Sequence, residues 1–159
     1  MPRRGGVRVK ESQPDTIYKS KLIAKLITKS MKSGKKTVAE KEVYKAMEIV
    51  KDKTQKNPIE VFSKALENIK PEMEVRPRRV GGAAYQVPMQ VRGRRKESLA
   101  LRWLIAAARS RSNSEFHTFA EKIAVEVIDA SNNEGMAVKK RKDIERMAEA
   151  NRAFSHFRW

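Results

Sequence analysis

The stretch VRPRRVGGAAYQVPMQVRGRRK, residues 75–96, constrains the fold of this chain more than any other segment. Two short runs of β-favouring residues flank the pair Gly81-Gly82. Consecutive glycines supply the positive φ angles that a tight hairpin turn requires. The stretch carries arginines and a lysine but no acid. The pattern therefore predicts a basic two-stranded ribbon over residues 72–91.

Strand alternation divides the side chains of this ribbon between two faces. If the turn has an even number of residues, one face carries Arg76, Arg78, Val80, Tyr85, Val87 and Met89. The opposite face then carries Val75, Pro77, Arg79, Ala84, Gln86 and Pro88. Neither face is apolar enough to cover a core, and an isolated hairpin is only marginally stable in water. The ribbon is therefore predicted to project as a basic arm that adds little to domain stability.

Helical periodicity on both sides of the ribbon predicts a mainly α fold. We expect a single domain over residues 1–159, with about six helices and the projecting β-hairpin between the third and fourth. A basic N-terminal arm occupies residues 1–15, and a C-terminal helix and tail occupy residues 136–159. The six predicted helices span about residues 20–33, 37–53, 58–70, 94–110, 114–132 and 137–154.

Local signals place several helix boundaries. Asn57 before Pro58, with Glu60 in the first turn, is a helix start signal. Ser114 is predicted to cap the fifth helix, and Gly135 to break the chain before the sixth. The fourth helix is apolar almost all round, which is typical of the middle of a bundle. Trp103 is then a core residue, with stacking on a nucleic acid as the alternative.

Charge indicates the kind of partner. The chain has 36 lysines and arginines against 19 acids, a net charge of +17, which argues for a polyanionic ligand. Residues 1–10 and 16–39 contain no acid, whereas solvated helix surfaces normally mix both signs. Arginine on the hairpin suits forked contact with phosphate. Tyr85 either stacks on a base or packs over Val87, and the sequence leaves both open.

Other classes of function find little support. The chain has no Cys and no membrane-length apolar run, so a soluble protein with neither cofactor nor metal site is expected, and no membrane partner. No catalytic motif is present, and His117 and His156 are interpreted as surface or packing residues. The basic first helix also fits a membrane surface or an import signal, but it lacks aromatic anchors.

Several separate basic segments suit folded RNA better than a DNA groove. A DNA-compacting protein and a regulator of its own messenger remain alternatives.

Three long blocks carry a resemblance to a known family: VRPRRVGGAAYQVPMQVRGRRKESLALRWLI, SGKKTVAE and AVKKRKDIERMAEANRAFSHFRW. They resemble the bacterial small-subunit ribosomal protein S-seven over nearly the whole chain. The resemblance implies a non-enzymatic cytoplasmic protein of the ribosome. Such a protein binds small-subunit ribosomal RNA, nucleates assembly of the subunit head and lies near the tRNA exit site at the subunit interface. Expected partners are that RNA, exit-site tRNA, messenger RNA and the small-subunit proteins nine and eleven.

The resemblance also assigns roles to matching positions. Contact with ribosomal RNA is expected at Arg3, Arg4, Lys10, Lys35, Lys36, Arg76, Arg78, Tyr85, Arg92, Arg94, Arg95 and Lys96. The side facing tRNA is expected at Arg79, Val80, Gly81, Gly82 and Ala83, together with Lys139, Lys140 and Arg141.

Overall fold

A computed structural model describes residues 13–157, which form six α-helices, one β-hairpin and a terminal 3₁₀ helix. The elements are α1 (Lys21–Ser30), α2 (Lys36–Thr54), α3 (Pro58–Ile69), β1 (Met73–Val80), β2 (Ala83–Gln90), α4 (Arg94–Ser110), α5 (Phe119–Ser131), α6 (Gly135–Ala150) and η1 (Arg152–Phe157). The predicted mainly α fold, with a hairpin between the third and fourth helices, is confirmed. Within residues 13–157 no helix combines the length and apolarity needed to cross a bilayer.

The hydrophobic core is made by one apolar stripe from each of the six α-helices. Ile23 and Leu26 of α1 and Phe62 of α3 are fully buried, as are the α2 residues that the 3.6-residue periodicity predicted. Those α2 residues are Val43, Ala46, Met47 and Val50. Each large side chain contributes about 1.5–3 kcal/mol when it leaves water. Burial of these stripes therefore accounts for why amphipathic helices of this length fold together.

Helix α4 contacts α1, α3, α5 and α6, but α5 likewise contacts four helices, α2, α3, α4 and α6. The predicted position in the middle of the bundle is therefore one that α4 shares with α5. Trp103 packs against the core but is only half-buried, so it lies at the edge of the core rather than inside it. The helix is not apolar all round, however. Arg102, Ala106 and Arg109 are exposed and follow helical spacing, so they form one strip open to solvent.

Of the two helix caps predicted from the sequence, the one at Asn57 is confirmed and the one at Ser114 is wrong. Asn57 caps α3 as expected, because its Oδ1 accepts a hydrogen bond from the amide of Ile59 at 3.1 Å. The predicted cap of α5 at Ser114 is wrong. The helix begins four residues later, where Thr118 accepts from the Glu121 amide and the Glu121 carboxylate accepts from the Thr118 amide. This reciprocal capping box satisfies two amides at once, which Ser114 does not do.

The start of α6 also differs from the prediction, because Gly135 is its first residue rather than a break before it. Gly135 has a φ of +89°, and a Cβ there would lie 3.0 Å from Oε1 of the fully buried Glu126. That same oxygen accepts a hydrogen bond from the Ala137 amide at 2.9 Å. Glycine thus lets the N-terminus of α6 approach a buried carboxylate. At its other end α6 stops at Ala150, so Phe154 belongs to η1 and not to this helix.

The hairpin is attached more firmly than predicted. Its register pairs Arg76 with Val87 and Arg78 with Tyr85, which confirms the two-residue turn and the predicted faces. The prediction that neither face packs on the body is wrong for the base. Val87 is fully buried, Val91 is 2% exposed, β1 contacts α6, and β2 contacts both α6 and η1. The side chains toward the turn remain largely open to solvent.

Candidate nucleic-acid interface

Most of the predicted contact residues at the turn of the hairpin are exposed. Gly81 and Gly82 have φ values of +58° and +87°, as a tight two-residue turn between twisted strands requires. Arg79, both glycines and Ala83 are exposed, and Val80 is half-buried. All the residues expected to face tRNA at the hairpin therefore lie together at its tip.

Two of the predicted RNA-binding arginines are held by an acid that lies just outside the acid-free stretch. Glu74 of β1 is buried, with its side chain only 10% exposed. Arg95 Nε donates to both carboxylate oxygens, at 3.0 and 2.8 Å, and Arg76 Nε donates to Oε1. Glu74 therefore connects the hairpin stem to the first turn of α4. The side chains of Arg76 and Arg95 remain 46% and 48% exposed, so both keep a surface for an outside anion.

The protonation of Glu74 reflects this environment. Burial by itself raises the pKa of the carboxyl group, but the hydrogen bonds from Arg95 and Arg76 outweigh it. The pKa of Glu74 therefore lies below its usual value of 4.5, and the group is ionised at neutral pH.

Helix α1 lies beside α4 and adds lysines to the same surface. Lys25 forms an ion pair with Glu97 in the first turn of α4, with 2.6 Å between Nζ and Oε2. Lys29 Nζ donates to Ser98 Oγ at 3.1 Å. Because Arg94 and Arg102 lie one turn on either side of Ser98, they share this side of α4. The lysine side of α1 and the exposed strip of α4 are therefore one continuous surface.

At its far end this surface opens into a groove of 540 Å³ between the ends of α1, α2, α4 and α5. Lys32, Lys35 and Arg109 line the groove together with Val38 and Phe119. Arg109 Nη2 donates to the Ser30 carbonyl at 2.9 Å, and its guanidinium carbon lies 5.8 Å from the centre of the Phe119 ring. Lys35 and Lys36 are exposed at the start of α2, where no acid occupies the first turn. Cations there oppose the helix dipole, so an outside anion would be favoured.

We call this surface the basic face. It consists of Lys25, Lys29, Lys32, Lys35, Lys36, Arg76, Arg92, Arg94, Arg95, Arg102 and Arg109. The sequence prediction missed Arg102 and Arg109 as contact candidates, because the surrounding residues of α4 are apolar. Their seven-residue spacing on the exposed strip was the signal that could have identified them.

The other residues predicted to contact ribosomal RNA differ in how exposed they are. Arg92 and Arg94 are exposed, Lys96 is half-buried, and Arg78 is half-buried beside Tyr85 in the hairpin register. Arg3, Arg4 and Lys10 lie outside the residues that the structure describes.

The three predicted contact residues of helix α6 differ in their exposure to solvent. Lys139 and Lys140 are exposed in its first two turns. Arg141 is turned inward instead, with its side chain 21% exposed and its Nε 3.6 Å from the Glu145 carboxylate. This buried Nε has no hydrogen-bond partner. Lys139 and Lys140 are thus better placed than Arg141 to reach an outside ligand.

The ring of Tyr85 is half-buried and contacts two aromatic residues of η1. Its centroid lies 5.2 Å from that of Phe154 and 5.2 Å from that of Phe157. Neither interpretation from the sequence included these partners. Contact of Tyr85 with RNA stays a prediction, while its packing within the protein is observed.

Taken together, these observations describe a helical protein with one strongly basic face, the kind of surface that favours a polyanionic partner. Comparison with known sequences then identifies the family of the chain. The profile of the family described as Ribosomal protein S7p/S5e matches residues 2–152, and the chain belongs to this family.

Similar proteins extend over the full length of the chain. A protein named small ribosomal subunit protein uS7 from Sulfurihydrogenibium sp. (strain YO3AOP1) is 57% identical over 159 residues, which is 100% of both chains. Proteins of the same name from Thermodesulfovibrio yellowstonii and Caldicellulosiruptor saccharolyticus are 56% and 54% identical, again over 100% of both chains.

Proposed function

We propose that this chain is a structural, non-catalytic component of the small ribosomal subunit that binds ribosomal RNA through its basic face. The name of its relatives supports a place in the small ribosomal subunit. The excess of positive charge on the basic face supports RNA as its ligand. Three acids beside this surface, Glu40, Glu74 and Glu97, are taken up in ion pairs with its cations. A fourth, Glu42, lines the groove and accepts a hydrogen bond from the Ala120 amide. Arg92, Arg94 and Arg102 are exposed without an acid partner among residues 13–157. That surplus of exposed arginine is the observation on which the proposal depends.

The geometry fits an extended contact rather than a single phosphate. Helix α4 runs along the basic face, and the 15 steps from Arg94 to Arg109 correspond to about 22 Å at a rise of 1.5 Å each. The groove beside Arg109 lies at one end of this helix and the hairpin stem at the other. A folded RNA can reach cations on several elements at once, which favours it over a straight duplex.

The finer parts of the proposal follow the family resemblance. The chain joins the ribosomal RNA early in the cytoplasm and nucleates assembly of the subunit head. Its hairpin tip, with Arg79 and the Gly81-Gly82 turn, faces the tRNA exit site and the messenger at the subunit interface. Lys139 and Lys140 of α6 add positive charge on the same side. The neighbouring small-subunit proteins nine and eleven contact the body.

The binding experiment compares two variants that change the net charge equally. Arg92→Glu with Arg94→Glu alters the basic face, and Lys45→Glu with Lys53→Glu alters exposed positions of α2 outside it. The ligands are the head domain of the ribosomal RNA and a random DNA duplex of equal length. We expect the arginine variant to lose most of its RNA affinity, with a shallower salt dependence, because affinity changes by about one power of salt per phosphate contact.

Equal losses in the two variants would show that total charge, not the basic face, determines binding. Equal affinity of the unaltered protein for duplex DNA and for RNA would support the DNA-compacting alternative. For assembly, we expect that omitting the chain from a reconstitution prevents the other head proteins from joining. Normal joining in its absence would contradict the nucleating role.

A further inference from the structure

Three aromatic rings connect the hairpin to the end of the chain, well above the hairpin base. Tyr85 of β2 contacts Phe154 and Phe157 of η1, each at a centroid distance of 5.2 Å. The two phenylalanine rings are nearly parallel, with an interplanar angle of 12° and centroids 6.5 Å apart. Such separations are typical of favourable aromatic pairs. We call the group of Tyr85, Phe154 and Phe157 the aromatic clasp.

The clasp lies nearer the turn than the other attachments of the ribbon, which include the fully buried Val87. At the base, Glu74 binds Arg95 of α4 and pairs in register with Met89. Tyr85 lies opposite Arg78, four residues nearer the turn, or about 13 Å along a strand. A ribbon held only near its base can still tilt, and a further contact nearer the turn restricts that tilt. The clasp therefore adds a constraint beyond those of Glu74 and Val87.

We propose that Phe154 and Phe157 are positioning residues that set the angle at which the hairpin leaves the body. On this interpretation the Tyr85 ring serves the contact with η1 and not the stacking of a nucleotide base. The clasp rings are half-buried and none belongs to the fully buried core, so the contact can open without unfolding the helices. This inference goes beyond RNA binding and concerns the free protein.

The clasp also determines which side of the hairpin an outside ligand can reach. Tyr85 and Val87 lie on the face turned toward α6 and η1. The opposite face presents Pro77, Arg79 and Gln86, all exposed. A nucleic acid at the tip therefore meets Arg79 rather than Tyr85.

The absence of cysteine from the chain allows the angle to be measured directly. Ala83→Cys in the hairpin and Lys41→Cys on α2 place thiols at exposed positions, where spin labels can be attached. The distance distribution between the labels is recorded in the full-length protein, with hydrogen exchange of the β2 amides in parallel. We expect Phe154→Ala with Phe157→Ala to broaden the distribution and to raise the opening equilibrium of the hairpin amides about ten-fold or more.

Two further variants control for side effects. Tyr85→Phe keeps the ring and should retain the narrow distribution, whereas Tyr85→Ala should broaden it. Arg152→Ala removes another exposed side chain from η1 and should change nothing. Melting of the helical signal confirms that each variant is folded. An unchanged distribution in the double phenylalanine variant would show that the base alone fixes the hairpin. Equal broadening by Arg152→Ala would show that integrity of η1, not the ring contact, is responsible.

Discussion

The helical core and the hairpin are stabilised in different ways. The core is held by fully buried apolar side chains contributed by six helices. The hairpin is held by Val87 at its base, by one buried carboxylate and by three half-buried rings. Partly exposed contacts of this kind are weak, so the position of the hairpin can change at little cost to the fold. Stability of the fold and placement of the hairpin are therefore separable properties of this chain.

The largest effect on stability is expected at a buried ion pair within the helical body. Arg111 is 17% exposed and donates to Glu126, which is completely buried, and to Asp129. Arg111→Ala leaves the Glu126 charge without its cation, and such losses cost about 3–5 kcal/mol. Urea unfolding measures the change. The control is Arg146→Ala, whose pair with Asp143 is 3.9 Å long and exposed, and which should cost about 1 kcal/mol or less. Equal costs would contradict a distinction between buried and surface pairs.

A smaller loss is expected from Trp103→Ala. A fully buried tryptophan costs about 3–5 kcal/mol on truncation to alanine, but this indole is half-buried, so we expect about 2–3 kcal/mol. Thermal melts of the free protein would show the shift. Met147→Ala on α6, where the side chain is 48% exposed, is the control and should be nearly neutral. A drop in RNA affinity with unchanged stability would place Trp103 at the ligand instead.

The same difference between regions explains how far the sequence could predict the structure. The core stripes, the Asn57 cap and both ends of α4 were predictable because each depends on residues within a few positions of one another. The start of α5 was predictable too, since Thr118 has a glutamate three residues later and Ser114 has not. The contacts that attach the hairpin to the body were not predictable in this way. Arg95 and Glu74 are in contact although 21 positions separate them in the sequence. Phe154 and Tyr85 are in contact although most of the C-terminal half of the sequence lies between them. Only tertiary packing brings such pairs together.

Glu74 tests the base of the hairpin. Glu74→Gln keeps the size of the side chain but removes its charge from Arg76 and Arg95. We expect a loss of about 1–2 kcal/mol at pH 7, because hydrogen bonds to charged groups contribute about 1.5–3 kcal/mol and these arginines are half exposed.

The effect should depend on pH with a defined sign. Since the pKa of Glu74 is lowered in the folded protein, its contribution is complete above the usual value of 4.5 and is lost as the pH falls through the folded pKa. The gap in unfolding free energy between the unaltered protein and Glu74→Gln should therefore shrink below about pH 4. Glu67→Gln, at an exposed carboxylate on α3, is the control. A gap that stays constant as the pH is lowered from 7 through the usual value of 4.5 and below would rule out an ionised Glu74 as its source.

The smallest effect is expected at the hairpin tip. Deleting Arg79 to Ala84 and joining Arg78 to Tyr85 through an Asn-Gly turn retains the Glu74 contacts and the aromatic clasp. Because nearly all the removed side chains are exposed, the melting temperature should be almost unchanged. Binding to ribosomal RNA should also persist, since the basic face is intact. What should be lost is tRNA retention at the exit site and maintenance of the reading frame, measured in ribosomes that carry the deletion. A large fall in melting temperature would show that the tip belongs to the fold. Unchanged tRNA retention would show that it does not face the tRNA.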